Sequence, residues 1–77
     1  MANRKRIEDM IKYRKLGDAS RSDMLSFLTH EGFYDASGGK GGHMKLKKDD
    51  GKTIILPSGR TLRKDQIRYI LKEANYL

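Results

Sequence analysis

The chain has 77 residues, of which 36% are hydrophobic, and its mean hydropathy is −0.79; it has room for one small core and not for a deep cavity around a metabolite. Lys and Arg total 17 against 10 Asp and Glu, a net charge of +7 with a pI near 9.9, which is the electrostatic footprint of a protein that meets a polyanion. The absence of cysteine excludes disulfides and thiolate chemistry and fits a reducing cytoplasm, while no apolar run approaches the length needed to span a membrane.

The elements follow in chain order. Ile7, Met10, Ile11 and Leu16 recur at helical spacing and predict a helix over about residues 4–16, with Asn3 as its N-cap. The basic start Arg4-Lys5-Arg6 runs into Glu8, Asp9 and Lys12 rather than an apolar stretch, so it does not read as a secretion signal. Gly17 and Asp18 break the pattern, and Asp18-Ala19-Ser20-Arg21-Ser22 is a polar connection ending on a second N-cap residue, Ser22. Met24, Leu25, Phe27 and Leu28 give the buried face of a helix over about 23–30, and Glu31-Gly32 supplies the glycine that commonly follows a helix end. His30, in the last turn, suits the helix dipole there and needs no further role.

Three strand-like runs follow: Phe33 to Ser37, His43 to Lys48 and Thr53 to Leu56. In the middle run, alternation puts His43, Lys45 and Lys47 on one face and Met44 and Leu46 on the other, toward the core. Asp49-Asp50-Gly51-Lys52 is a hairpin signal that makes the second and third strands antiparallel neighbours, and it accounts for the two carboxylates better than a metal site does. Pro57 ends the third strand. From Leu62 onward, Leu62, Ile67, Ile70, Leu71 and Ala74 mark the apolar stripe of a last helix whose solvent side carries Arg63, Lys64, Arg68 and Lys72. The expected fold class is α+β: a three-stranded antiparallel sheet packed against helices, with one additional N-terminal helix.

The chemistry concentrates around residues 37–48. Glycines 38, 39, 41 and 42 permit close backbone approach to a ligand, and their amides can cradle an anion; Lys40, Lys45 and Lys47 add positive charge. Histidine titrates near neutral pH, and His43 is the one candidate base in this stretch. Metal-independent RNA cleavage needs a base for the 2′-hydroxyl proton, cations for the charged phosphorane and a proton for the leaving oxygen; His43 and the lysines meet the first two needs. A glycine-rich connection is also often only a loop between strands, and a single exposed histidine is often inert. Arg63, Lys64 and Arg68 lie within about one and a half turns and suit the phosphates of a double-stranded nucleic acid, although such rows of cations often serve only solubility. Three strands followed by a basic helix also match the element order of double-stranded-RNA-binding domains.

The segment from Ser22 to Leu77 resembles the HicA-type mRNA interferase toxins of bacterial toxin-antitoxin systems, whose fold is of the double-stranded-RNA-binding kind, α-β-β-β-α. The resemblance rests on Glu31-Gly32-Phe33, on Lys40-Gly41-Gly42-His43 where the family usually has Lys-Gly-Ser-His, on Asp50-Gly51, on Ile54-Ile55-Leu56-Pro57, and on Leu62-Arg63-Lys64 with Ile67-Arg68 and Ile70-Leu71-Lys72. It divides the chain into an additional N-terminal helical segment, residues 1–18, and a HicA-like domain, residues 19–77. It implies a cytoplasmic endoribonuclease that cleaves mRNA without metal or other cofactor, with His43 as the catalytic histidine. Lys40, Gly41, Gly42, Lys45, Lys47, Arg63, Lys64 and Arg68 are then its RNA-binding residues, and a HicB-type antitoxin protein its partner, with no membrane involved. Met44 stands where many relatives carry a second histidine, and the connection from Pro57 to Leu62 is shorter than usual. An alternative class is a noncatalytic HicA-like module that binds nucleic acid or protein, of the kind a phage or other mobile element carries.

Overall fold

The computed structural model describes residues 3–38 and 43–77. Its elements are α1 (Arg4–Lys12), β1 (Ala19–Ser20), α2 (Arg21–His30), β2 (Tyr34–Asp35), β3 (Met44–Lys47), β4 (Thr53–Leu56), β5 (Thr61–Leu62) and α3 (Lys64–Glu73). The fold is α+β, with three helices and an antiparallel sheet in the order β2-β3-β4. A second, two-stranded ribbon pairs β1 with β5, Ala19 opposite Leu62 and Ser20 opposite Thr61. No helix among the described residues is long and apolar enough to cross a membrane.

The helix starts show where local signals suffice and where distant partners override them. Asn3 caps α1 as expected, its side chain accepting from the Lys5 amide at 3.1 Å. The cap of α2 is Ser20, whose hydroxyl accepts from the Asp23 amide at 3.0 Å, and not Ser22, which lies inside the helix. The Arg21 amide bonds Arg60 O, and its guanidinium bonds Pro57 O, both at 2.8 Å, so long-range contacts select the earlier start. The last helix begins at Lys64 rather than Leu62, because Thr61 and Leu62 are drawn into the ribbon with β1. Arg63 is therefore the N-cap of α3. Its side chain is a donor and cannot cap. Gln66 Oε1 accepts from the Arg63 amide at 2.8 Å instead, and Asp18 Oδ1, 46 residues away in sequence, accepts from the Lys64 amide at 2.9 Å.

All three helices end in the same way. The amides of Arg14, Gly32 and Asn75 bond the carbonyls of Ile11, Thr29 and Lys72, and those of Lys15, Phe33 and Tyr76 bond Met10, Leu28 and Leu71. This double closure is the Schellman motif, which requires a left-handed residue just past the helix. Gly32 supplies it after α2 at φ 103°, as the sequence predicts, while Arg14 (φ 54°) and Asn75 (φ 67°) supply it after α1 and α3. The Arg14 turn stops α1 at Lys12, short of the expected Leu16, and Leu16 packs against the core from the connection instead. Phe33, expected in a strand, is the buried residue that closes α2.

One core gathers Met24, Phe27 and Leu28 of α2, Leu46, Ile54 and Leu56 of the sheet, and Leu62, Ile67, Ile70 and Leu71 from the C-terminal part. Ile7 and Met10 of α1 belong to the same cluster. Asn3 N donates to Asp23 Oδ1 at 2.7 Å, and Arg6 Nη2 donates to Asp18 O at 2.6 Å, fixing α1 along α2. Among the described residues, the helices thus pack on one face of the sheet and its other face is open.

Tyr76 completes the core edge. Its ring meets Phe27 edge to face with centroids 5.1 Å apart, and its hydroxyl donates to Glu31 Oε1 at 2.9 Å. Partial burial, then the hydrogen bond and negative charge of Glu31, push the phenol up to about 12. A raised phenol favours the folded state fully below the unfolded value near ~10, and that contribution is lost as pH climbs through the folded value. We therefore expect denaturant stability to fall between pH about 10 and about 12 in the wild type, and this component of the fall to be missing from Tyr76→Phe. Equal alkaline slopes in the two proteins would contradict the assignment.

Candidate functional site

His43 is exposed and stands on the bend immediately before β3 rather than inside the strand. Strand β3 begins with Met44, whose partner is Leu56; Lys45 pairs with Ile55, Leu46 with Ile54 and Lys47 with Thr53. On the other side, Tyr34 pairs with Lys47 and Asp35 with Leu46. Leu46 is buried and Met44 packs partly against the core, so Lys45 and Lys47 lie on the side away from the helices. At ~3.4 Å rise per residue, Lys45 and Lys47 within the strand are spaced by roughly 7 Å. Lys45 is exposed and Lys47 half-buried.

The hairpin below this row is tight. Lys48 N donates to Lys52 O at 3.0 Å, Gly51 N donates to Lys48 O at 2.9 Å, and Gly51 alone of the turn has positive φ, 91°. This is the three-residue loop with a glycine bulge, one residue longer than a two-residue Asp-Gly turn. Asp50 Oδ1 accepts from the Lys52 amide at 2.9 Å, so this carboxylate serves the turn.

At the other end, the connection from β2 toward His43 is anchored before it leaves the sheet. Ala36 N donates to Lys45 O at 2.7 Å, which extends the ladder past Asp35. The Ser37 hydroxyl and amide both donate to Asp35 Oδ1, and these bonds hold the Asp35 carboxyl below the usual carboxylate range. Lys40, Gly41 and Gly42 lie outside the described residues.

Two exposed residues that the sequence alone does not single out share the open face: Tyr34, 51% exposed, opposite Lys47, and Ile55, 45% exposed, opposite Lys45. The alternation of β4 gives the signal for Ile55, since Ile54 and Leu56 already fill the core side. An aromatic ring and an apolar side chain beside a row of cations form a surface able to hold bases and phosphates together.

The helical cations divide. Lys64 and Arg68 line one shallow depression, whereas Arg63 lies at the cap and faces Asp65 across 3.8 Å, with both side chains about three-quarters exposed. An ion pair so exposed is worth little and leaves Arg63 available to other anions.

Among the described residues, the structure also gathers Glu8, His30 and Glu31, whose ligand atoms lie within 4.8 Å of one another. Sequence spacing could not show this group, since α1 brings Glu8 to the end of α2. Glu8 is paired with Arg4 at 3.4 Å, and Glu31 accepts from Tyr76 with one oxygen and lies 3.4 Å from His30 Nδ1 with the other. The bonds of Glu31 thus tie the end of α2 to the C-terminal turn, while Glu8 is engaged within α1.

Known proteins share this architecture. The family model described as HicA toxin of bacterial toxin-antitoxin systems matches residues 21–76. A solved structure titled "Toxin-Antitoxin complex from Streptococcus pneumoniae" contains a chain with 34% identity and a TM-score of 0.63; the match covers 73% of this chain and 95% of that one. No curated protein matches significantly. With helices, sheet and residues 21–76 all in agreement, the chain belongs to the HicA toxin family of bacterial toxin-antitoxin systems.

Proposed function

We propose that this protein is an RNA-cleaving toxin that needs no metal, with His43 as general base, and that a HicB-type antitoxin holds it in check. The observation that carries the reading is the exposed His43 at the head of a strand whose open face carries Lys45 and Lys47. His43 removes the proton of a ribose 2′-hydroxyl, and the 2′-oxygen attacks the adjacent phosphorus. The bond from phosphorus to the 5′-oxygen breaks, water at this open site supplies the proton that the leaving oxygen needs, and the hydroxide left behind takes up the proton held by His43. Lys45 and Lys47 oppose the charge that builds on the phosphorane, and Tyr34 offers a ring on which a neighbouring base stacks. The toxin family and the toxin-antitoxin complex of the similar structure support an antitoxin partner, and the net charge of +7 suits an acidic protein as well as RNA.

The test is incubation of purified protein with a structured mRNA in EDTA, with and without a HicB-type antitoxin. Cleavage that persists in EDTA and stops when the antitoxin is added is the expected result. Intact RNA that nevertheless binds in a salt-sensitive way would replace this reading with that of a noncatalytic binding module.

A further inference from the structure

The turn that ends α1 lies outside the residues matched by the toxin family, yet it does not stand apart from the rest of the surface. Arg14 and Lys15 line a depression of about 270 Å³ together with Lys64 and Arg68 of α3, with Leu16 and Leu77 at its walls. Four cations from segments some 50 residues apart in sequence thus converge on one concave place. None of the four makes an ion pair among the described residues, where the pairs are Arg4 with Glu8, His30 with Glu31 and Arg63 with Asp65. Asp18, beside the start of α3, is engaged by the Lys64 amide and does not pair with a cation. Arg14 also occupies the left-handed position that glycine fills after α2, a conformation an arginine adopts at a cost. Like charges gathered in a hollow repel one another, and an anion seated there removes the repulsion.

We propose that Arg14, Lys15, Lys64 and Arg68 form a binding site for the backbone phosphates of RNA, so that the N-terminal segment is part of the substrate surface. The inference rests on the reading of the protein as one that acts on RNA, but not on the role of His43. The site holds phosphate by charge and carries no base specificity.

The experiment measures binding of a fluorescent, fully 2′-O-methylated RNA strand, which the proposed reaction cannot cut, as a function of salt. The proteins compared are wild type, Arg14→Gln/Lys15→Gln, Lys64→Gln/Arg68→Gln, the four together, and Lys5→Gln/Lys12→Gln as a control of equal charge change. Thermal melts establish that each is folded. Arg14→Gln/Lys15→Gln should weaken binding about tenfold and reduce the slope of log K against log salt by about one unit for each phosphate no longer neutralised. The same pair should cost less in the Lys64→Gln/Arg68→Gln background, because the phosphate they share is already gone. The control should change affinity far less. An Arg14→Gln/Lys15→Gln protein that matches the control in affinity and slope overturns the site, as does a wild type that binds no RNA. Loss of antitoxin binding with RNA binding intact also overturns it, in favour of a protein partner. A wild type that binds RNA with the expected slopes but leaves unmodified RNA uncut in EDTA upholds the site and sinks only the catalytic reading.

Discussion

His43→Ala should abolish RNA cleavage while leaving the protein folded. The side chain is exposed, precedes β3 and takes no part in the core, so its removal leaves every buried contact intact. Loss of a general base typically costs about 10²–10⁴-fold in rate, enough to bring a small nuclease to background. Growth inhibition on expression should vanish with it. Circular dichroism and thermal melting of the variant should match wild type, and binding to uncleavable RNA should be kept, because the lysines remain. A His43→Ala protein that still cuts RNA at a tenth of the wild-type rate or more would remove His43 from the chemistry. Lys45→Gln and Lys47→Gln should show smaller losses in cleavage, accompanied by weaker binding and a flatter salt dependence.

The second large effect concerns the N-terminal helix. Ile7 is fully buried and Met10 nearly so, both within the cluster that includes Met24, Leu28 and Ile70. Truncating a buried Ile or Met to Ala typically costs ~2–5 kcal/mol, the forfeited transfer energy plus the cavity left behind. A chain of this length has a total stability of about 4–12 kcal/mol. Ile7→Ala/Met10→Ala should therefore remove most of the stability, and urea titration should show a protein largely unfolded in water or with a midpoint close to zero. The region matched by the family would then depend on a helix that precedes it. Wild-type stability in the double variant would show instead that residues 21–76 hold together without α1.

Much of this fold can be read from local patterns. The Asn3 cap, Gly32 after α2, the Gly51 turn and the bounds Thr53–Leu56 all depend on neighbours a few residues apart, and they emerge where the sequence puts them. The alternation of Lys45, Leu46 and Lys47 likewise places the two lysines away from the core. What the sequence hides is long-range. Two residues, Ala19 and Ser20, are too few to show a period, so their pairing with Thr61 and Leu62 is legible only in three dimensions, and it moves the start of α3 by two residues. The cap that Asp18 gives to Lys64 is invisible for the same reason. So is the meeting of Arg14 and Lys15 with Lys64 and Arg68, which in one dimension are two unrelated basic runs. Arg14 as a helix stop has a further cause: arginine gives no turn signal, and only the closure of α1 by Lys15 onto Met10 shows the left-handed residue between.

The most direct test of the central claim is to map the ends of RNA cut by the wild-type protein in EDTA. In-line attack by the 2′-oxygen, with His43 as base, leaves a 2′,3′-cyclic phosphate on one fragment and a 5′-hydroxyl on the other, and a single 2′-deoxy nucleotide at the cleavage position blocks the cut. Fragments with a 5′-phosphate and a 3′-hydroxyl, or cleavage that tolerates the 2′-deoxy substitution, would contradict it.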